Sequence, residues 1–186
     1  SDLIIENSSS DLGGGIFSEN SSLELSNVQI NNNTAYYSKG GGILFWGAPD
    51  YERTLSIVNS NINGNSSGDS GGGLYIAKSP YGEIFIPIIQ LSNTTVTNNT
   101  SGNDGGGVSL NEVNATFENC TVSENTAGSS GGGINSNAAN AILVNCILWN
   151  DSPQEIYFAY EFADQSSIMT AFSDIRGGEA GIITNN

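Results

Sequence analysis

The 186 residues carry 19 acids against four bases (Lys39, Arg53, Lys78, Arg176), no histidine and a net charge of −15. That balance argues against nucleic acid as a partner, because phosphate binding needs clustered Lys and Arg, and against anionic membrane surfaces. Charged residues are only 12% of the chain and no stretch approaches the ~20 apolar residues of a membrane span, so Asn, Ser, Thr and Gly give it the polarity of an extracellular β-protein.

The chain opens Ser1-Asp2-Leu3-Ile4-Ile5, with no basic start and no apolar leader. It begins and ends inside a repeat, and reads as a piece of a longer protein whose residues 1–186 form a single domain. Ile4 and Asn7 precede the first of five Gly-Gly-Gly triplets, which start at Gly13, Gly40, Gly71, Gly105 and Gly131. The starts are 27, 31, 34 and 26 residues apart, and an aliphatic residue follows each triplet: Ile16, Ile43, Leu74, Val108 and Ile134. A motif at this period marks a solenoid.

Between triplets runs a second motif, alternating apolar residues around a central Asn. It is Leu23 to Ile30 around Asn27, Leu55 to Ile62 around Asn59, Ile89 to Val96 around Asn93, Ala115 to Val122 around Asn119, and Ala141 to Leu148 around Asn145. Six residues after each central Asn stands Asn33, Asn65, Asn99, Asn125 or Asp151. Alternation predicts strands with one face inward, and Asn suits a sharp left-handed bend between two of them. Asn amides stacked in successive coils are expected to bond along the axis. The triplets supply a second bend where a side chain would obstruct close approach. Two or three short strands per coil of about 26 residues describe an all-β, right-handed, single-stranded parallel β-helix of roughly seven coils.

The run Asn119-Cys-Thr-Val-Ser-Glu-Asn-Thr-Ala-Gly-Ser-Ser-Gly-Gly-Gly-Ile134 resembles the repeat of right-handed parallel β-helix proteins of the pectate lyase-like superfamily. It is most similar to secreted bacterial cell-surface members sharing Gly-Gly-Gly/Ala-Ile repeats with polymorphic outer-membrane proteins. Cys146 to Ile156 and Phe172 to Gly178 look like the closing repeats of large cell-surface proteins of this type. The resemblance spans essentially the whole chain and implies this fold and an extracellular, secreted or surface-attached location. It brings no catalytic motif, and the superfamily includes lyases, hydrolases and adhesins, so fold does not fix function.

Cys120 and Cys146 share one repeat column with Val28, Ser60 and Thr94. They should stack in adjacent coils, either as two buried thiols or as a disulfide in an oxidising compartment. Two coils are lengthened at one corner, by residues 47–54 and 77–87, and these loops should touch. A third long connection, 159–165, lies at the equivalent corner.

Outward aromatics beside the loops make Trp46, Tyr51, Tyr75 and Tyr81 the sugar-binding candidates, with Phe17 and Leu44 outward nearby; the alternative is that they pack under their own loops. Asp50 with Glu52, or Glu52 with Glu83, is the carboxylate pair a hydrolase would need, and Arg53 or Lys78 the base of a lyase. Loop salt bridges explain the same charges, and the non-enzymatic reading is preferred.

Ahead of the triplets, Asp11, Ser38, Asp69, Asn103 and Ser129, with Asp104 adjacent, offer stacked oxygens of the kind calcium takes. Short polar side chains also cap tight turns, and no other cofactor is expected. One outward strand face carries Gln29, Asn31, Asn61, Asn63, Thr95, Thr97, Thr121 and Ser123, and its polar character stops at Ile147 and Trp149. The expected role is a structural or adhesive rod that binds a carbohydrate or cell-surface ligand or self-associates through its open coil ends. The alternative is a polysaccharide-binding or polysaccharide-degrading module using the corner at 47–54 and 77–87.

Overall fold

A computed structural model describes residues 3–48, 50–79, 85–159 and 166–184. The strands form four parallel sheets, visited in the same order in each coil. The first sheet holds Leu3–Glu6, Val28–Asn31, Asn61–Asn63, Thr95–Thr97, Thr121–Ser123, Ile147–Trp149 and Asp174–Ile175. The second is built from two-residue strands, Ser9–Ser10, Thr34–Ala35, Ser66–Ser67, Thr100–Ser101 and Thr126–Ala127.

The third sheet holds the strands after the triplets, Ile16–Glu19, Ile43–Trp46, Leu74–Ala77, Val108–Asn111 and Ile134–Asn137, then Ile156–Ala159 and Ile182–Thr184. The fourth holds Leu23–Ser26, Thr54–Val58, Ile88–Ser92, Asn114–Glu118, Asn140–Val144 and Ser167–Ala171. This is a parallel β-helix of about seven coils, with four strands per full coil instead of the expected two or three. The second sheet escapes a sequence reading because two residues cannot display an alternation.

Register is strict. Ile43, Leu74, Val108, Ile134 and Ile156 pair in succession, and all are fully buried. Leu55, Ile89, Ala115 and Ala141 form another column, beside Ile57, Leu91, Phe117 and Leu143. Within Thr54–Val58, burial alternates residue by residue, as a period of two requires. Each fully buried Val, Leu, Ile or Phe contributes about 1.5–3 kcal/mol, and stacking like on like leaves one continuous core.

The bends have separate chemistries. At the junction of fourth and first sheets the central residues are left-handed, with φ from 48° to 55° at Asn27, Asn59, Asn93, Asn119 and Asn145. The next residue points inward and closes the bend. Ser60 Oγ, Thr94 Oγ1, Cys120 Sγ, Cys146 Sγ and Ser173 Oγ each donate to the carbonyl two residues back, at 2.8, 2.9, 3.3, 3.3 and 3.1 Å. Exposed amides of the bend stack only in part, Asn93 donating to Asn59 and Asn145 to Asn119.

The continuous ladder lies between the first and second sheets. Asn33, Asn65, Asn99 and Asn125 are at most 1% exposed. Each donates its backbone N–H and its Nδ2 to the Oδ1 of the next ladder residue at 2.8–3.0 Å. Each Nδ2 also reaches a carbonyl of the preceding coil: Ile5, Ile30, Ile62 and Val96 in turn. The fifth member is Asp151. Ser8, and not Asn7, holds the ladder position in the opening coil, its N–H donating to Asn33 Oδ1. Asn7 is instead a left-handed residue, as its counterpart Asn32 is in the next coil; the turn before Gly13 is shorter than that before Gly40, so the spacing to the triplet points to the wrong residue.

The triplets pack against this ladder. At Gly71 φ is +69°. A Cβ on Gly72 would sit inside contact distance of the Thr100 and Gly106 carbonyl oxygens, and one on Gly73 would meet the Asn99 amide at 3.0 Å. Gly72→Ala and Asn99→Ala are therefore each expected to cost about 3–5 kcal/mol, the first through backbone displacement and the second by stranding the Asn65 donors. Exposed Ser129→Ala should stay within about 0.5 kcal/mol. Denaturant unfolding of the three variants checks the ranking.

Candidate functional site

Both lengthened loops leave the third sheet and enter the fourth, so they share a corner, as expected from sequence. They also touch: Ile88 N–H donates to Arg53 O at 2.9 Å, and Gly47 faces Pro87. Arg53 organises the first loop. Its Nε donates to Asn20 O at 3.0 Å, its guanidinium lies 5.4 Å from the Tyr51 ring centroid, and Nη2 is 3.8 Å from Asp50 Oδ1. Tyr51, Asp50 and Glu52 are exposed, and an exposed pair such as Arg53–Asp50 adds little stability.

Glu52 borders a groove of about 650 Å³ on the outer face of the fourth sheet, floored by Phe85, Ile86, Ile88, Thr116 and Ile142. Asp50 is turned to Arg53, so the two carboxylates have different surroundings. Tyr81, Glu83 and most of the third connection lie outside the described residues. A second, polar groove of about 490 Å³ follows the first bend, lined by Asn27, Gln29, Asn59, Asn61 and Asn93.

The expected row of outward aromatics is only partly open to solvent. Leu44 is fully buried and Tyr75 is 4% exposed, in a satellite cluster with Ala77 and Trp46. Alternation along the strand tells which side a residue takes, not whether that side is covered. Tyr75 Oη accepts from Lys39 Nζ and from Asn111 Nδ2, both at 3.1 Å, and Lys39 Nζ also stands 4.5 Å from the ring centroid. Trp46 is half-buried and meets exposed Phe17 edge to face, with centroids 5.5 Å apart. Lys78 donates to Glu112 Oε2 at 2.6 Å, which gives it the ion-pair role rather than that of a free base.

In the oxygen column before the triplets, Asp69 accepts at Oδ1 from Ser70 Oγ (3.0 Å) and Asn103 Nδ2 (2.8 Å), and Lys39 lies 3.9 Å from Oδ2. Asp104 and Ser130 form a parallel bridge. Asp11 is exposed in the first turn. Asp69 and Asn103 are thus brought together, but as hydrogen-bonding partners in the turns. Among the described residues no group of three or more His, Cys, Asp or Glu is arranged to hold a metal.

The other outward columns change character towards the carboxyl-terminal end. Gln29, Asn61, Thr95 and Thr121 give way to Ile147, and Asn31, Asn63, Thr97 and Ser123 to Trp149. Glu24, Ser56, Gln90 and Thr116 give way to Ile142 and Met169. The bend column of five asparagines ends in Phe172, at φ 53° and 90% exposed. A left-handed backbone is uncommon for a bulky residue and costs roughly 1–2 kcal/mol. Ile142, Met169 and Phe172 are the site residues that sequence reasoning missed. The signal was the loss of polarity already visible at Ile147 and Trp149.

No family model matches the chain, nor does any curated protein or solved structure. The class rests on the fold: a parallel β-solenoid with a loop-lined corner and an apolar end patch.

Cys120 and Cys146 are free thiols, 1% and 2% exposed. The neighbouring Cys146 thiol, reinforced by burial, pushes the Cys120 thiol well above its ordinary range. Neither should react with a thiol reagent in the folded protein, and two equivalents should react in denaturant. Colorimetric thiol titration with and without guanidinium checks this.

Proposed function

We propose that the chain is a structural and adhesive β-solenoid segment of a secreted or surface-attached bacterial protein. The observation that carries this reading is the apolar patch of Ile142, Ile147, Trp149, Met169 and Phe172. Apart from Ile4 in the first coil, the same columns are polar in the earlier coils, so the core does not require the change. Solvent-facing apolar side chains on columns that are otherwise largely polar fit a contact with another surface. Bacterial origin and secretion rest on the resemblance of the repeats. Self-association through coil ends is a second proposed mode of contact.

Restoring the earlier residues tests the patch. The triple variant Trp149→Ser, Met169→Thr, Phe172→Asn should fold with equal or greater stability, because Asn relieves the left-handed strain. It should lose at least tenfold in binding to whole bacterial or host cells, measured by flow cytometry of labelled protein. Unchanged binding would remove the patch from the reading.

The alternative reading, a polysaccharide-binding or -degrading module, is favoured by the groove beside Glu52 with Tyr51 at its rim. It predicts binding or cleavage in a screen of acidic and neutral polysaccharides, with and without calcium, reduced by Glu52→Gln and by Tyr51→Ala. Trp46, Tyr81, Asp50, Arg53 and Glu83 are its further candidate residues.

A further inference from the structure

The amide ladder ends on an acid. Asp151 Oδ1 does what each asparagine Oδ1 does, accepting from Asn125 N–H and Nδ2, both at 2.8 Å. Beyond it, among the described residues, the ladder has no sixth member. Glu155, four residues on and 4% exposed, folds back so that its Oε2 accepts the Asp151 N–H at 3.1 Å. Glu155 thereby takes the acceptor place that the next ladder residue would fill.

The difficulty lies at the other oxygen. In every asparagine of the ladder this position is an Nδ2 donor, directed at the next ladder acceptor and at an inward carbonyl. In Asp151 it is Oδ2, an acceptor among acceptors. Asp151 is 6% exposed and Oδ2 has no hydrogen-bond donor. A Cβ on Gly133 would lie 2.6 Å from it, so the Gly133 backbone closes that side. A buried carboxylate oxygen left without a donor is costly, whereas a carboxylic acid supplies the one donor the position requires.

We infer that Asp151 is built into the ladder as a neutral carboxylic acid, its Oδ2–H donating to the Glu155 carboxylate in place of an asparagine amide. One proton then ties Asp151 to Glu155 within the coil that carries Trp149, where the ladder ends. On deprotonation that proton leaves for solvent, two buried carboxylates face each other, and this end of the ladder loosens.

The surroundings agree. Burial, partly offset by the two Asn125 hydrogen bonds and reinforced by Glu155, pushes the Asp151 carboxyl up to about 8. From the preceding coil, Asn125 bonds to it and Gly133 packs against it, both neutral. Glu155 and Arg176 border the same groove of about 370 Å³, and Arg176 Nη1 is committed to Asn150 Oδ1 at 2.6 Å. Glu124, Asp174 and Glu179 on the neighbouring segments are exposed.

The folded pKa is raised above the unfolded one. The stabilisation is therefore complete below about pH 4, where both states are protonated. It declines by about tenfold in the unfolding constant per pH unit, and is gone above about pH 8.

The test uses the whole chain. Carbon-13 NMR of the sequentially assigned Asp151 carboxyl should show a midpoint near 8, moving down in Glu155→Gln. A midpoint below about 5 would overturn the inference. Asp151→Asn supplies the amide permanently. Relative to wild type, its unfolding constant should fall by about tenfold per pH unit between pH 5 and 7, and a pH-independent difference would overturn the inference. Should Asp151→Asn fail to fold, the wild-type titration decides alone.

Discussion

Adjacent coils meet at one strand spacing, and everything else in the molecule is arranged so that nothing interrupts that spacing. The buried amide ladder is the clearest case. Each asparagine is donor to one coil and acceptor to another, so no coil can rotate or slip without stranding several buried polar groups at once. The glycine triplets follow from the ladder. Their third members lie against its amides and their middle members against backbone carbonyls of the neighbouring strand, so any side chain there would push two coils apart. The aliphatic columns supply most of the free energy, but apolar contact alone tolerates sliding. The ladder is what makes the register unique, and stability is then set coil by coil between nearest neighbours.

Two consequences reach the surface. First, insertions are absorbed where the ladder is not. Coils of 26 to 34 residues share one register because the additional residues leave at the corner between third and fourth sheets. Second, the bend column takes a small inward side chain, Val28 in one bend and a donor in those that follow, which is why two cysteines stand among Ser and Thr. Their S–H groups make the same bond to the carbonyl two residues back, at a longer distance suited to sulfur.

Much of this was legible in the chain. The triplets, the alternating columns, the coil number and the shared corner of the two loops all follow from fixed spacings. Three things did not. The two-residue second sheet carries no periodicity. The opening coil's Asn7 mimics a ladder residue although Ser8 is the true one, because Asp11-Leu12 is a shorter turn than Tyr36-Tyr37-Ser38-Lys39. Tyr75 and Leu44 point outward as their alternation says, yet Lys39 and Trp46 lie over that face. Of the candidate site, the loops and the Ile147–Trp149 break were readable. Phe172 was not, because its place in the bend column depends on the register of a coil that has no glycine triplet.

The outer surface, by contrast, is nearly free of these demands. Its positions form a grid, with columns around the rod and rungs along it, each point fixed in space by the interior and indifferent to which side chain fills it. A recognition surface on such a grid can be lengthened, shifted by one rung or rewritten a point at a time while the scaffold beneath keeps its dimensions.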